Sequence, residues 1–275
     1  MVAAAARGLV MIGLGGEAGE TRSGADGRDG PEGRSVPRVA LVTGASRGIG
    51  VQVARFLGAA DVHVVVNYRE KAQRANTVVD GIRAAGGQAS SAGADVCDEA
   101  RVQTLLADIR EQFGSLDILV LNASGGLERG ADPSYAMQLN CDAQLRLVTL
   151  ALPLMPPGSR IVFVTSHQAH FYPGKPVPEG YEPIAASKRA GEDALLAAKP
   201  VLTERGIELK VVSGDMIDGT IIVRLLHRKD PAAVEARRDH APLPTVEEFA
   251  TVITRAALQP DAAETSYVGG ADYLA

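Results

Sequence analysis

The chain has 275 residues, 46% of them hydrophobic, and a formal net charge of −5. That length suits one α/β domain with a large core, and mild acidity without a Lys/Arg cluster argues against nucleic acid or an anionic membrane as partner. No apolar run approaches the roughly 18 residues that span a bilayer, and two cysteines far apart, Cys97 and Cys141, show no metal spacing and fit a reducing cytoplasm.

Residues 1–37 start with a short apolar stretch and continue as EAGETRSGADGRDGPEGRSVP, with almost nothing to bury. The segment is read as a disordered extension carrying no chemistry. A signal peptide is the rival reading, and Met11 is a possible later start.

From residue 38 the chain alternates. Val39–Val42 is a short β-branched run, and Thr43, Gly44, Gly48 and Gly50 follow it. Ile49, Val53, Phe56 and Leu57 then take helical spacing. Further strands are expected at Val62–Asn67, Gln88–Ala94, Leu116–Leu121, Ile161–Thr165 and Ile207–Val212, with the last beginning at Tyr267–Gly269. Between them run helical faces, one on Ala72, Ala75, Val78, Val79 and Ile82, another on Val102, Leu105, Leu106, Ile109 and Phe113. Thr245–Leu258 reads as a further helix, and residues 217–243 as a lid. Strands alternating with helices of this length predict one doubly wound α/β domain over 38–275, a parallel sheet with helices on both faces.

The glycines after the first strand have a chemical use. Helix N-termini carry unpaired N–H groups and a positive dipole end, which together hold phosphate. Gly44 and Gly48 let the main chain turn tightly against a pyrophosphate, and Gly50 lets the helix pack closely. The strand before and the helix after supply the context this motif needs, against the plainer reading of a glycine-rich βα turn. The end of the second strand informs the choice of dinucleotide. An NAD site usually has an acid there for the ribose 2′-hydroxyl, whereas this chain has Tyr68 and Arg69, with Arg47 inside the glycine loop. Two guanidiniums and no carboxylate favour NADP(H) over NAD(H).

TGASRGIG resembles the TGxxxGxG fingerprint of the short-chain dehydrogenase/reductase family, and the resemblance extends over about residues 38–273. It implies a Rossmann fold, and coenzyme contacts from Gly44, Ser46, Arg47, Gly48, Ile49 and Gly50. Asp95, next to Val96, is implied to contact the adenine. DILVLNAS resembles the family's DILVNNAG and adds Asn122 and Ala123, although Leu121 and Ser124 depart from it. SGDMIDGT resembles its PGxxxT-like loop and adds Gly214, Ile217 and Thr220 at the nicotinamide carboxamide. The segment Gly125–Gln138 is short for the family. By the same resemblance Asn140 kinks its helix and holds a water in a proton relay, Ser166 bonds the substrate carbonyl, and Lys188 holds the nicotinamide ribose. The family commonly forms dimers or tetramers through paired helices.

One position breaks the pattern. The family pairs a catalytic Tyr with a Lys four residues later, but four residues before Lys188 stands Ile184, which has no proton to give. The nearest phenol is Tyr181, seven residues ahead of the lysine and about 10 Å from it along a continuous helix. Pro183 in the first helical turn would leave Tyr181 just outside, in an extended loop that turns the ring back. The segment HQAHFYPGKPVPEGYEP is enlarged and also holds Tyr172, a weaker candidate, while His167 and His170 are expected at the surface or pocket rim. Three readings stay open: Tyr181 as a displaced general acid; another donor such as His167, His170 or the substrate; or a non-catalytic NADP-binding protein, a scaffold or sensor. The sequence is read as a cytoplasmic, homo-oligomeric, NADP(H)-dependent oxidoreductase acting on a small carbonyl or alcohol substrate, without a metal.

Overall fold

Short apolar runs form strands β1 (Arg38–Val42), β2 (Val62–Tyr68), β3 (Gln88–Gly93), β4 (Ile118–Leu121), β5 (Arg160–Ser166), β6 (Glu208–Gly214) and β7 (Thr265–Val268). They pair in parallel in the order β3-β2-β1-β4-β5-β6-β7. The computed structural model describes residues 37–126, 132, 134–178 and 180–270. The extension over 1–36, residues 271–275 and most of the segment following Gly126 up to Asp132 lie outside the described residues.

Side chains alternate across each strand, so both sheet faces are apolar. Ala40, Val42, Val64, Val66, Ile118 and Val120 point to one face. There they meet Val53 and Leu57 of α1 (Gly48–Gly58), Val78 and Ile82 of α2 (Ala72–Ala84), and Phe249 and Ile253 of α10 (Val246–Leu258). Leu41, Val65, Leu119, Leu121, Ile161 and Phe163 point to the other. They pack on Leu105 and Ile109 of α3 (Glu99–Phe113), Leu147 and Val148 of α5 (Ala143–Ala151), and Leu195 and Leu202 of α7 (Glu182–Glu204). No helix among the described residues is long and apolar enough to cross a membrane.

The doubly wound sheet expected from the sequence is present, with local corrections. The last strand runs Thr265–Val268 and stops before Gly269, because Gly269 and Gly270 take positive φ of 72° and 65° and turn the chain out of the sheet. Ala72 is exposed, since it opens α2 beyond the cover of the sheet. Phe113 is half-buried at the end of α3. The helix around Asn140 is irregular, in keeping with the kink that the resemblance implies: α4 (Tyr135–Met137) leads into a π-helical turn Gln138–Asp142 and then α5. The segment expected as a lid holds two helices, α8 (Ile221–Lys229) and α9 (Pro231–His240).

The π-helical turn is packed hard against α7. A Cβ added to Gly191 would lie 2.3 Å from the Asn140 carbonyl oxygen, a distance no carbon can occupy. Gly81 of α2 faces open space, with nothing within 4 Å of an added Cβ. Opposite outcomes are expected from one chemical change. Gly191→Ala should lower the denaturation free energy by about 1–3 kcal/mol, and Gly81→Ala should raise it by about 0.4–1 kcal/mol. Urea midpoints of the two variants check both signs.

Candidate active site

The order of strands reverses between β1 and β4, the place where parallel sheets open a crevice at their carboxyl ends. Thr43 holds that crevice together. Its hydroxyl donates to the Val120 carbonyl at 3.2 Å and accepts from the N–H groups of Asn122 and Ala123, each at 2.9 Å. The Asn122 amide returns the contact by donating to the Thr43 carbonyl at 2.8 Å. Asn67, 2% exposed at the end of β2, accepts from Gly44 N–H at 3.3 Å and donates to the carbonyls of Ala92 and Ala94 at 3.2 and 3.0 Å. The ends of β1, β2 and β4 and the turn after β3 are thus joined.

The glycine loop is shaped as a phosphate cradle. Gly44 and Gly48 take positive φ of 63° and 58°. A Cβ on Gly50 would meet Asn122 Nδ2 at 2.7 Å and the Gly44 carbonyl at 2.9 Å, so the helix start sits against the loop only without a side chain. Above Gly48 the space is open, with nothing within 4 Å of an added Cβ. The N-cap residue Arg47 gives no side-chain hydrogen bond to the helix start. A cleft of about 420 Å³ runs from Gly48 to Asp218, Gly219 and Thr245. An open helix N-terminus faced by glycines fits the pyrophosphate of a dinucleotide.

The other residues expected at a coenzyme lie in the glycine loop, at the ends of β2 and β6, and after β3. Ser46 is half-buried and Arg47 exposed in the loop itself. Tyr68 is half-buried at the end of β2, its ring against Gly93, whose added Cβ would be 3.0 Å from the phenol oxygen. Arg69 donates to Tyr135 Oη at 2.6 Å and pairs with Glu70 at 3.1 Å. Asp95 accepts from Cys97 N–H at 2.9 Å, beside Val96, whose side chain is in the core. After β6, Thr220 caps α8, accepting from Val223 N–H at 3.4 Å and donating to the Ile217 carbonyl at 2.8 Å. Gly214 is kept bare by Phe249, 2.7 Å from an added Cβ.

At the end of β5, Ser166 Oγ and Tyr181 Oη are 3.4 Å apart. Tyr181 is the N-cap of α7, with Pro183 in the first turn as expected. Its backbone, however, is not extended. With φ −92° and ψ −13°, it carries the helix direction, and its carbonyl already accepts from Ile184 and Ala185. Tyr181 and Lys188 therefore lie seven positions apart along one helical path, a spacing that puts them on the same face. Burial pushes the Lys188 ammonium down to about pKa 8, against the opposing pull of the Glu192 carboxylate. Ile184 is buried at the position of the family tyrosine, packed with Tyr181, Ala136, Met216, and Val223 and Leu226 of α8 in an apolar layer. Asn140 lies in the π-helical turn, donating to the Gly125 carbonyl and to Ser187 Oγ, both at 3.0 Å.

Of the two histidines, His167 differs from expectation. His167 is fully buried rather than at a rim, because its ring fills the gap between β6 and the turn after β7. Nδ1 meets Ser213 Oγ at 2.7 Å and Nε2 meets the Gly269 carbonyl at 3.0 Å. His170 is half-buried between Glu192 at 2.6 Å and Tyr267 at 3.1 Å. Tyr172 bonds Glu182 at 2.9 Å, which raises its phenol pKa and makes it a poorer acid. Sequence reading missed Asn67, Ser187 and Glu192. A polar residue closing an apolar strand run marks Asn67; the other two carry no signal outside the fold.

A family model described as short chain dehydrogenase matches residues 38–230. Hydroxynaphthalene reductase of Aspergillus fumigatus is 34% identical over 163 residues, 56% of this chain and 57% of that protein. The chain spans just over half the length of this and the next curated relatives, 53% and 52%. Among solved structures, a short chain dehydrogenase from Burkholderia cenocepacia in complex with NADP superposes with a TM-score of 0.73 at 28% identity, covering 86% of this chain and 98% of that one. The angucycline C-6 ketoreductase LanV with bound NADP gives 0.70 at 27%, covering 84% and 93%.

Burial holds the His167 pKa below its ordinary value, with the Gly269 hydrogen bond opposing that shift. The unfolded imidazole takes a proton near pH 6.5 while the folded one resists it, so this stability is complete above that pH and falls as pH drops. Thermal unfolding between pH 7 and 5 should show the fall. In His167→Gln its slope should be shallower by up to about 1.4 kcal/mol per pH unit.

Proposed function

This chain belongs to the short-chain dehydrogenase family, and on that premise we propose that it is an NADP(H)-dependent oxidoreductase interconverting a carbonyl compound and its alcohol. The observation that carries the reading is the meeting of Ser166 Oγ and Tyr181 Oη, 3.4 Å apart at the mouth of the crevice. Two hydroxyls converging from separate elements suit one substrate oxygen. A protein that only stored a nucleotide has no need of them, which weighs against a scaffold or sensor.

When bound, the nicotinamide dinucleotide supplies or accepts the hydride. The N–H groups at the start of α1 and the turn around Gly44 hold its diphosphate, with Asp95, Asn122, Ile217, Thr220 and Lys188 along the rest of its length. Arg47 and Arg69 take the 2′-phosphate, supported by the absence of an acid at Tyr68 and by the NADP carried by both solved neighbours. Ser166 donates to the substrate oxygen and polarises it. Tyr181 gives its proton to that oxygen during reduction and recovers it in the reverse direction. The Lys188 ammonium stabilises the phenolate and so lowers the tyrosine pKa. Ile184, Met216, Val223 and Leu226 keep water away from these groups.

The relatives named as reductases of hydroxynaphthalene and of an angucycline support an aromatic or polycyclic ketone as the first substrate class to try. Both thiols are free, in keeping with a reducing compartment, the cytoplasm. Assembly as a homodimer or homotetramer rests on family membership.

NADPH oxidation with a panel of aromatic and aliphatic ketones tests the reading; binding without turnover contradicts it. Tyr181→Phe should reduce kcat/KM by about 10²–10⁴-fold with the NADPH Kd unchanged, while Tyr172→Phe stays near wild type. In titrations, Arg69→Ala should weaken NADPH by about tenfold or more and leave NADH nearly unaffected.

A further inference from the structure

Glu192 lies on α7 one turn beyond Lys188 and is 1% exposed. A carboxylate this deep loses its hydration and stays ionised only if neighbours replace it. Its Oε1 meets His170 Nδ1 at 2.6 Å and stands 3.8 Å from Arg189 Nη1. Its Oε2 is buried with no hydrogen-bond partner among the described residues. The mechanism above uses none of these groups.

The source of the contact is informative. His170 sits on α6 (His167–His170), in the enlarged segment between β5 and α7 that also delivers Tyr181. Its other nitrogen meets Tyr267 Oη of β7 at 3.1 Å, and the rings of Phe171 and Tyr267 stack at 5.9 Å and clamp it from the side. Arg189 Nη1 donates to the His170 carbonyl at 2.6 Å and its Nη2 pairs with Asp193 at 2.5 Å, which commits that guanidinium outward. Beyond His170 lie His167 and the buried Asp215–Arg237 pair. The carboxylate is therefore fixed from the α6 side, on the helix one turn beyond Lys188.

We propose that Glu192, held in place by His170, is a positioning residue that keeps Lys188 cationic at the active site. The inference rests on the reading of Lys188 as the residue that serves Tyr181. Residues four apart on a helix are neighbours, and an opposite charge at that range favours the charged form. Burial alone drives the Lys188 ammonium toward neutrality, and the Glu192 carboxylate is the charge that opposes it. A neutral lysine cannot stabilise the tyrosine's phenolate, so reduction should fail as pH rises through the lysine's titration. Removing the Glu192 charge should bring that failure to lower pH.

The test titrates Lys188 directly in the full chain. Lysines are reductively methylated with ¹³C, the Lys188 signal is assigned by its loss in Lys188→Arg, and its chemical shift is followed with pH. In Glu192→Gln, which preserves shape and a hydrogen bond to His170, the midpoint should fall by about one pH unit. The descending limb of kcat/KM should move the same way, with the NADPH Kd within about twofold. An unchanged Lys188 midpoint overturns the proposal, whatever the activity. If Glu192→Gln does not fold, Glu192→Met removes the charge with an apolar side chain of similar length, and the same two outcomes decide. A midpoint that moves in a protein without turnover on any ketone upholds the positioning role and refutes the oxidoreductase reading alone.

Discussion

A single threonine hydroxyl closes the joint on which the site depends. Thr43 binds the main chain of β4 and of the turn that follows it, and Asn122 reaches back to Thr43 from that turn. Parallel strands have no hairpin to fix their relative ends, so the mouth between β1 and β4 needs such a brace. With it, the glycine loop is set against Asn122 so closely that Gly50 admits no side chain. The open N-terminus of α1 is thereby presented to the crevice, where a diphosphate needs it.

The other half of the site departs from the family pattern. The family tyrosine position is filled by Ile184, which lies in an apolar layer with Val223 and Leu226 of α8. The longer path from β5 to α7 places a different phenol at the helix start and still ends it 3.4 Å from Ser166. It brings in addition His170, which seizes the Glu192 carboxylate below Lys188. One segment thus supplies both the phenol beside Ser166 and the histidine that meets Glu192.

The sheet and its glycine loop were legible because their signals are local: β-branched runs, helical stripes, and glycines placed between them. Asn140, Ser166 and Lys188 follow from motif resemblance and Tyr181 from being the nearest phenol; Ser166 meets Tyr181 between β5 and α7, and Asn140 bonds Ser187 of α7. Other features depend on contacts distant in sequence. Nothing near His167 shows that Ser213 and Gly269 enclose it. The kink at Asn140 is implied by motif resemblance, but its close packing against Gly191 is a contact distant in sequence. Nothing near Glu192 in sequence shows that His170 of α6 meets it. Tyr181 was expected in an extended loop, and the structure instead extends the helix direction to meet it, since Pro183 is compatible with a first turn.

The account turns on Tyr181 as the group that exchanges the proton. A crystal structure of the chain with NADP and a ketone substrate or product alcohol measures this most directly. The account predicts the substrate oxygen within hydrogen-bond distance of both Ser166 Oγ and Tyr181 Oη, with the reacting carbon facing the nicotinamide. A substrate oxygen bound by another donor, with the Tyr181 ring turned away from the nicotinamide, would contradict it.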